Sequence, residues 1–256
     1  MNNKRGIALI SLLLLTLVGI VSFGVISDNK LKRKNQEEYN EWLKEKKQES
    51  VLGVSEKTEE EKSDFYTKIL LKEKVNILII GDRIALSDGR DSQNGIWSEG
   101  IKYILNKNYG VNSEVKILAE STDSIDKALV YANSNIIGNY DLIIMCYGYN
   151  DSLGSTDLNK FKYIYNQAIK KAKENNESSV KMILVPSNIS KDNNYRKAII
   201  DIGNENSINI IDPKEIMDLS GKKENTYLNG DLPNDIGYQI YTQAIEKAIN
   251  EELSKR

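Results

Sequence analysis

Five short apolar runs, separated by segments with helical spacing, constrain this chain more than any other feature. VNILII (75–80), EVKILA (114–119), DLIIMCY (141–147), VKMILVP (180–186) and INIID (208–212) have the length and character of strands buried on both faces of a sheet. In 157–173, Leu158, Phe161, Ile164, Ala168, Ile169 and Ala172 recur at three- and four-residue steps. Ile236, Ile240, Ala244, Ile245, Ala248 and Leu253 do the same in 235–253. Both patterns predict amphipathic helices. Strand and helix alternating five times predicts a three-layer α/β/α sandwich around a five-stranded parallel sheet. With three prolines and no internal repeat, one domain over 75–256 suffices. In such folds ligands bind beyond the C-terminal ends of the strands, which directs attention to 81–92, 119–124, 147–155, 186–194 and 226–234.

Composition narrows the chemistry. The 256 residues include no histidine, so an imidazole base, an imidazole metal ligand and a Ser-His dyad are all excluded. A single cysteine, Cys146, precludes an internal disulfide and lies in an apolar run, where it reads as a small buried hydrophobe. A formal net charge of −2, with both signs scattered, gives no argument for a nucleic-acid partner. No cofactor is expected. Asp82, Asp88, Asp91 and Glu120 offer oxygen ligands for a hard cation, but their spacing follows no metal-loop pattern, so no metal site is expected.

The N-terminal region has a different character. From Ile7 to Ser27 there is no charge, a run of roughly 21 residues that matches the span of a bilayer's hydrocarbon core. Residues 1–28 therefore read as an uncleaved, single-pass membrane anchor. Lys30, Lys32, Arg33 and Lys34 follow it, and Lys4 and Arg5 precede it. These charges leave its orientation open, because long domains translocate largely regardless of them. Residues 29–74, rich in Lys and Glu, read as a charged helical spacer with a second helix at roughly 58–72.

The loops carry a resemblance. GDRIALSDG (81–89) after the first strand, GYND (148–151) after the third, and NGDLPNDIGYQIY (229–241) before the last helix resemble three blocks of the SGNH/GDSL hydrolase superfamily, in order and across nearly all of 75–250. The resemblance implies a flavodoxin-like sandwich with an ester-cleaving centre. In that centre a serine attacks, a glycine amide and an asparagine side chain hold the oxyanion, and an Asp-x-x-His pair supplies the base. Mapped onto this chain, the serine position holds Arg83 and the glycine position Glu120. The asparagine is retained as Asn150, while the Asp and His positions hold Asn229 and Leu232.

The resemblance thus implies a degenerate member. Without the serine there is no acyl-enzyme, and without the histidine nothing takes its proton. Glu120 would place negative charge where an oxyanion develops.

Several roles remain open at this stage. Arg83 either offers its guanidinium fork to an anionic ligand or pairs internally with Asp82, Glu120 or Asp151. Asn150 and Asp151 either bind ligand or fix their loop. Tyr147 and Tyr149 either stack on a sugar ring or belong to the core, and Trp97 reads as core. Ser87, Ser92, Ser121 and Ser124 lie on the relevant loops as substitute nucleophiles. The expected ligand-binding set is Asp82, Arg83, Glu120, Asn150 and Asp151. The expected function is a membrane-anchored, extracytoplasmic SGNH-like domain that has lost catalysis and binds an envelope glycan, an acylated or anionic ligand, or a partner enzyme. The competing expectation is an esterase, acyl hydrolase or acyltransferase using non-standard residues.

Overall fold

A computed structural model describes residues 63–134, 137–176, 180–186 and 193–256. The chain divides at Thr58/Glu59, and every described residue belongs to the second unit. The anchor at 1–28 and most of the spacer at 29–74 lie outside the described residues. Among those that are described, no helix is long and apolar enough to cross a membrane.

The elements follow the alternation read from sequence: α1 (Phe65–Leu71), β1 (Val75–Gly81), α2 (Trp97–Tyr109), β2 (Ser113–Ala119), α3 (Ile125–Asn133), β3 (Leu142–Cys146), α4 (Tyr149–Leu153), α5 (Leu158–Asn175), β4 (Lys181–Leu184), α6 (Asn194–Glu205), β5 (Asn209–Ile210), α7 (Pro213–Leu219), β6 (Leu228–Asn229), β7 (Leu232–Pro233) and α8 (Asp235–Leu253). The five-stranded sheet is parallel throughout, in the order β2-β1-β3-β4-β5. This is the flavodoxin-like order, whose switch point, and hence ligand crevice, falls between β1 and β3. β6 and β7 form a separate small antiparallel pair.

Period-two alternation along the central strands builds two cores. Val75, Ile77 and Ile79 of β1, with Leu142, Ile144 and Cys146 of β3, pack against α1, α2 and α8. Leu78, Ile80, Ile143 and Met145 point the other way, into α3, α5 and α6. Trp97 is buried in the first core, as expected, and donates its indole N–H to the Ile84 carbonyl at 3.0 Å. Cys146 is buried too.

Two expectations need correction. β2 and β5 are not buried on both faces: both are edge strands, β2 alternating between half-buried and exposed before becoming half-buried throughout, and β5 half-buried along its length. The domain also starts before Val75. α1, expected within the spacer, buries Phe65, Tyr66 and Ile69 in the first core. Ion pairs pin its polar side to the N-terminal edge of the sheet: Lys68 to Asp141 at 2.9 Å, and Lys181, the first residue of β4, to Asp64 at 3.1 Å. The chain therefore enters the domain at the pole opposite the C-terminal ends of the strands.

Candidate functional site

The loops beyond β1, β2 and β3 are bound to one another by side chains that the sequence had marked as ligand candidates. Gly81 ends β1 where a Cβ would lie 2.4 Å from the Cys146 carbonyl oxygen, so only glycine permits β1 and β3 to run this close into their loops. Asp82 then turns inward and is fully buried. One of its carboxylate oxygens accepts the Ile84 N–H at 3.1 Å; the other accepts the N–H groups of Tyr149 at 2.9 Å and Asn150 at 3.4 Å. Burial raises its pKa to about 7, against the opposing pull of those three N–H groups.

Asp151, also fully buried, accepts the Ile125 N–H at 3.2 and 3.1 Å through its two oxygens. It serves the N-terminus of α3, whose own cap residue, Ser124, makes no side-chain bond there. Burial raises its pKa as well.

Asn150 is where the structure speaks most directly to chemistry. Its Nδ2 donates to the Ser121 carbonyl at 2.9 Å and the Asp123 carbonyl at 2.7 Å. An amide nitrogen carries two protons, and both are engaged by the loop after β2. Asp123, in turn, accepts the Glu120 N–H at 2.9 Å and the Tyr131 hydroxyl at 3.0 Å. Asp82, Asp151, Asn150 and Asp123 together form one network tying the β1, β2 and β3 loops.

Arg83 stands at the surface of this network. It pairs with none of the three carboxylates expected for it. Asp82 and Asp151 are committed to backbone N–H groups, and the exposed Glu120 carboxylate makes no hydrogen bond among the described residues. The partner is Asp88, five residues on in the same turn, reached by Nε at 3.3 Å. The guanidinium carbon lies 5.8 Å from the centre of the Tyr149 ring, a cation–π distance. Its two terminal Nη groups have no partner among the described residues. Asp88 also accepts the Ser121 hydroxyl at 2.9 Å, while its carbonyl accepts the Tyr238 hydroxyl at 2.6 Å. Asp88 and Ser121 lie on different loops, and their adjacency depends on the β2–β1 pairing, which no local pattern reveals.

The last block arrives at the same place. Asn229 is exposed and donates to the Gly89 carbonyl at 3.3 Å. Gly89 has a φ of 90°, and a Cβ there would lie 2.5 Å from that of Leu232. The position to which the resemblance assigns a histidine holds a half-buried leucine packed against the β1 loop. Asp235 anchors this segment by accepting the Asp91 and Ser92 N–H groups at 2.8 and 3.1 Å.

Tyr147 and Tyr149 are both buried, so neither ring is offered to a ligand. Among the described residues no group of three His, Cys, Asp or Glu side chains is arranged to hold a metal ion.

No family model matches the sequence, and no curated protein matches it. Solved structures match its fold. A two-domain esterase active on acetylated mannans, co-crystallised with mannopentaose, superposes with a TM-score of 0.59 at 14% identity, over 73% of this chain and 52% of that one. The chain thus spans about half the length of that esterase. An acetyl xylan esterase matches with a TM-score of 0.54 at 17% identity, over 68% of this chain and 99% of its own. A member of the lipolytic G-D-S-L family from Veillonella parvula matches with a TM-score of 0.52 at 16% identity, over 67% of this chain and 96% of its own. The sheet order, the sequence blocks at the strand ends and these superpositions agree: the chain has the fold of the SGNH/GDSL hydrolase superfamily.

Proposed function

We propose that this chain is a non-catalytic SGNH-fold protein of the cell envelope, held at the membrane by its N-terminal segment, whose loop cluster binds a glycan chain or its acyl decoration. The observation that carries the reading is the use made of Asn150. Both of its amide protons are bonded to the backbone of the β2 loop, leaving none for an oxyanion. Arg83 in place of a serine, and Leu232 packed on Gly89, support the same reading.

The ligand chemistry follows from charge. Arg83 is neutralised by Asp88, and the exposed Glu120 and Asp231 lie on the same loop set. A free anion gains little from such a surface. Paired guanidinium, carboxylate and hydroxyl groups suit neutral vicinal hydroxyls, which both donate and accept. Two of the fold's matches act on acetylated mannans or xylan. A partner enzyme acting on the same polymer is the alternative occupant.

One contact favours a second reading. The Ser121 hydroxyl on the Asp88 carboxylate is the geometry of a serine with a carboxylate base, beside an Arg83 that can polarise a carbonyl. The two readings separate in one experiment on the full-length chain. It is titrated with acetylated manno-oligosaccharide and then assayed for release of acetate and for hydrolysis of an aryl acetate. Saturable binding, weakened about tenfold by Arg83→Ala and without turnover, supports the binding reading. Turnover abolished by Ser121→Ala replaces it with the second, and neither binding nor turnover overturns both.

A further inference from the structure

Asp82 is a fully buried carboxylate that forms no ion pair among the described residues. From its own loop, Arg83 turns outward to Asp88. Cys146 and Tyr147 at the end of β3, Tyr149 and Asp151 of α4, Tyr165 of α5, and Tyr238 and Tyr241 of α8 lie within electrostatic reach of it. Burial raises the pKa of the thiol and of every one of these phenols, so they are neutral around pH 7 and offer no positive charge. Asp151, a second buried carboxylate with no ion pair among the described residues, disfavours ionisation of the first. Three backbone N–H groups oppose this, but the one from Asn150 is long, at 3.4 Å.

Those three N–H groups come from two different loops. Ile84 lies on the β1 loop with Arg83 and Asp88, whereas Tyr149 and Asn150 open α4 beyond β3. Asn150 then carries the connection to the β2 loop through Ser121 and Asp123. The single Asp82 side chain is the joint between them.

We propose that Asp82 is a proton-sensitive joint: on mild acidification it takes up a proton and loosens its hold on the Tyr149 and Asn150 amides, so that the three loops of the candidate site shift together with pH. An ionised carboxylate presents two strong acceptor oxygens, while a protonated one keeps a single carbonyl-type acceptor and gains an O–H donor. At least one of the loop contacts must then weaken. Burial, which raises the Asp82 pKa to about 7, sets the range in which this happens. The joint does not depend on what the site binds, so its test and the ligand test fail independently.

The test is a pH titration of the full-length chain carrying 13Cγ-labelled aspartate, followed by carbonyl-carbon NMR between about pH 5 and pH 8.5, the span around a raised carboxyl. One carboxyl is expected to titrate near neutrality and to vanish from the spectrum of Asp82→Asn. Should that variant fail to fold, Asp151→Asn provides the second arm: removing the neighbouring negative charge moves the same titration to lower pH. Amide exchange at Tyr149 and Asn150, corrected for its intrinsic pH dependence, should quicken about threefold or more from about pH 8 to pH 5.5 as the joint opens locally. Aspartates that all titrate below about pH 5, the ordinary carboxylate range, would overturn the proposal. So would exchange at those two amides that does not change with pH.

Discussion

Asn150 and Asp82 occupy family-motif positions, yet in this chain both act on the backbone. Replacing Asn150 by Ala leaves the Ser121 and Asp123 carbonyls without their donor, at an expected cost of about 1–3 kcal/mol. Urea denaturation checks this; an unchanged midpoint would mean that the amide is free for another task. Gly81→Ala forces a Cβ against the Cys146 carbonyl at 2.4 Å, and with no flexible side chain to yield, stability should fall by about 1–3 kcal/mol or more. Thermal melting reads it. Sequence marked both regions but not their use. The ligand candidates Asp82, Arg83, Asn150 and Asp151 do meet at one place, whereas Glu120 joins the network only through its backbone N–H and its carboxylate points away from it into solvent. The partner of Arg83 was the least legible, because three nearer-seeming carboxylates compete for it until the structure shows that two of them are already bonded to N–H groups.

At the scale of elements, α1 shows how far charge can disguise a core helix. Its surroundings are rich in Lys and Glu, yet Phe65, Tyr66 and Ile69 face inward. Asp64 caps it by accepting the Thr67 N–H at 2.9 Å and receives both Nη groups of Arg256 and the Lys181 ammonium. Burial alone would raise the Asp64 pKa, but Arg256, Thr67 and Lys181 outweigh it and hold the carboxyl well below its ordinary 3.8. A group depressed in this way stabilises the fold above its unfolded pKa and loses that contribution as the pH falls through the folded value. Asp64→Asn keeps the cap and removes the charge. It should cost about 1 kcal/mol near neutral pH, a figure held low because solvent screens the pair. The difference from the native chain should shrink as the pH drops below 3.8, which urea titrations at several pH values would test. The strands divided by position in the sheet. Central β1 and β3 were legible as continuous apolar runs, and β2 read the same way although it lies at an edge. An apolar run reports hydrophobicity, while burial on the second face depends on which neighbour the tertiary fold supplies.

The whole domain depends on that first helix. A chain beginning at Val75 loses three buried side chains, each contributing about 1.5–3 kcal/mol, out of a total stability of about 5–15 kcal/mol typical of domains. We expect such a truncation to be unfolded or aggregated, whereas a chain beginning at Glu59 gives a cooperative melt. Circular dichroism on the two would decide, and a stable fold from Val75 would return α1 to the spacer. At this scale the division between sequence and structure is clear. The alternation of apolar runs and helical spacings, a repeating property of the chain itself, was enough to determine a parallel α/β sandwich with its loops at one end. The absence of histidine left no imidazole base for a Ser-His pair, and the resemblance to SGNH/GDSL blocks assigns its serine and histidine positions to Arg83 and Leu232. Only the tertiary structure decided that Asp88 and Ser121 meet, that the Asn150 protons are both taken, and that the buried Asp82 joins two loops through their backbone N–H groups. Each of these is a contact between residues far apart in sequence or a competition for the same hydrogen bond. A linear pattern carries no record of either, because they are settled by register and burial after the strands have paired.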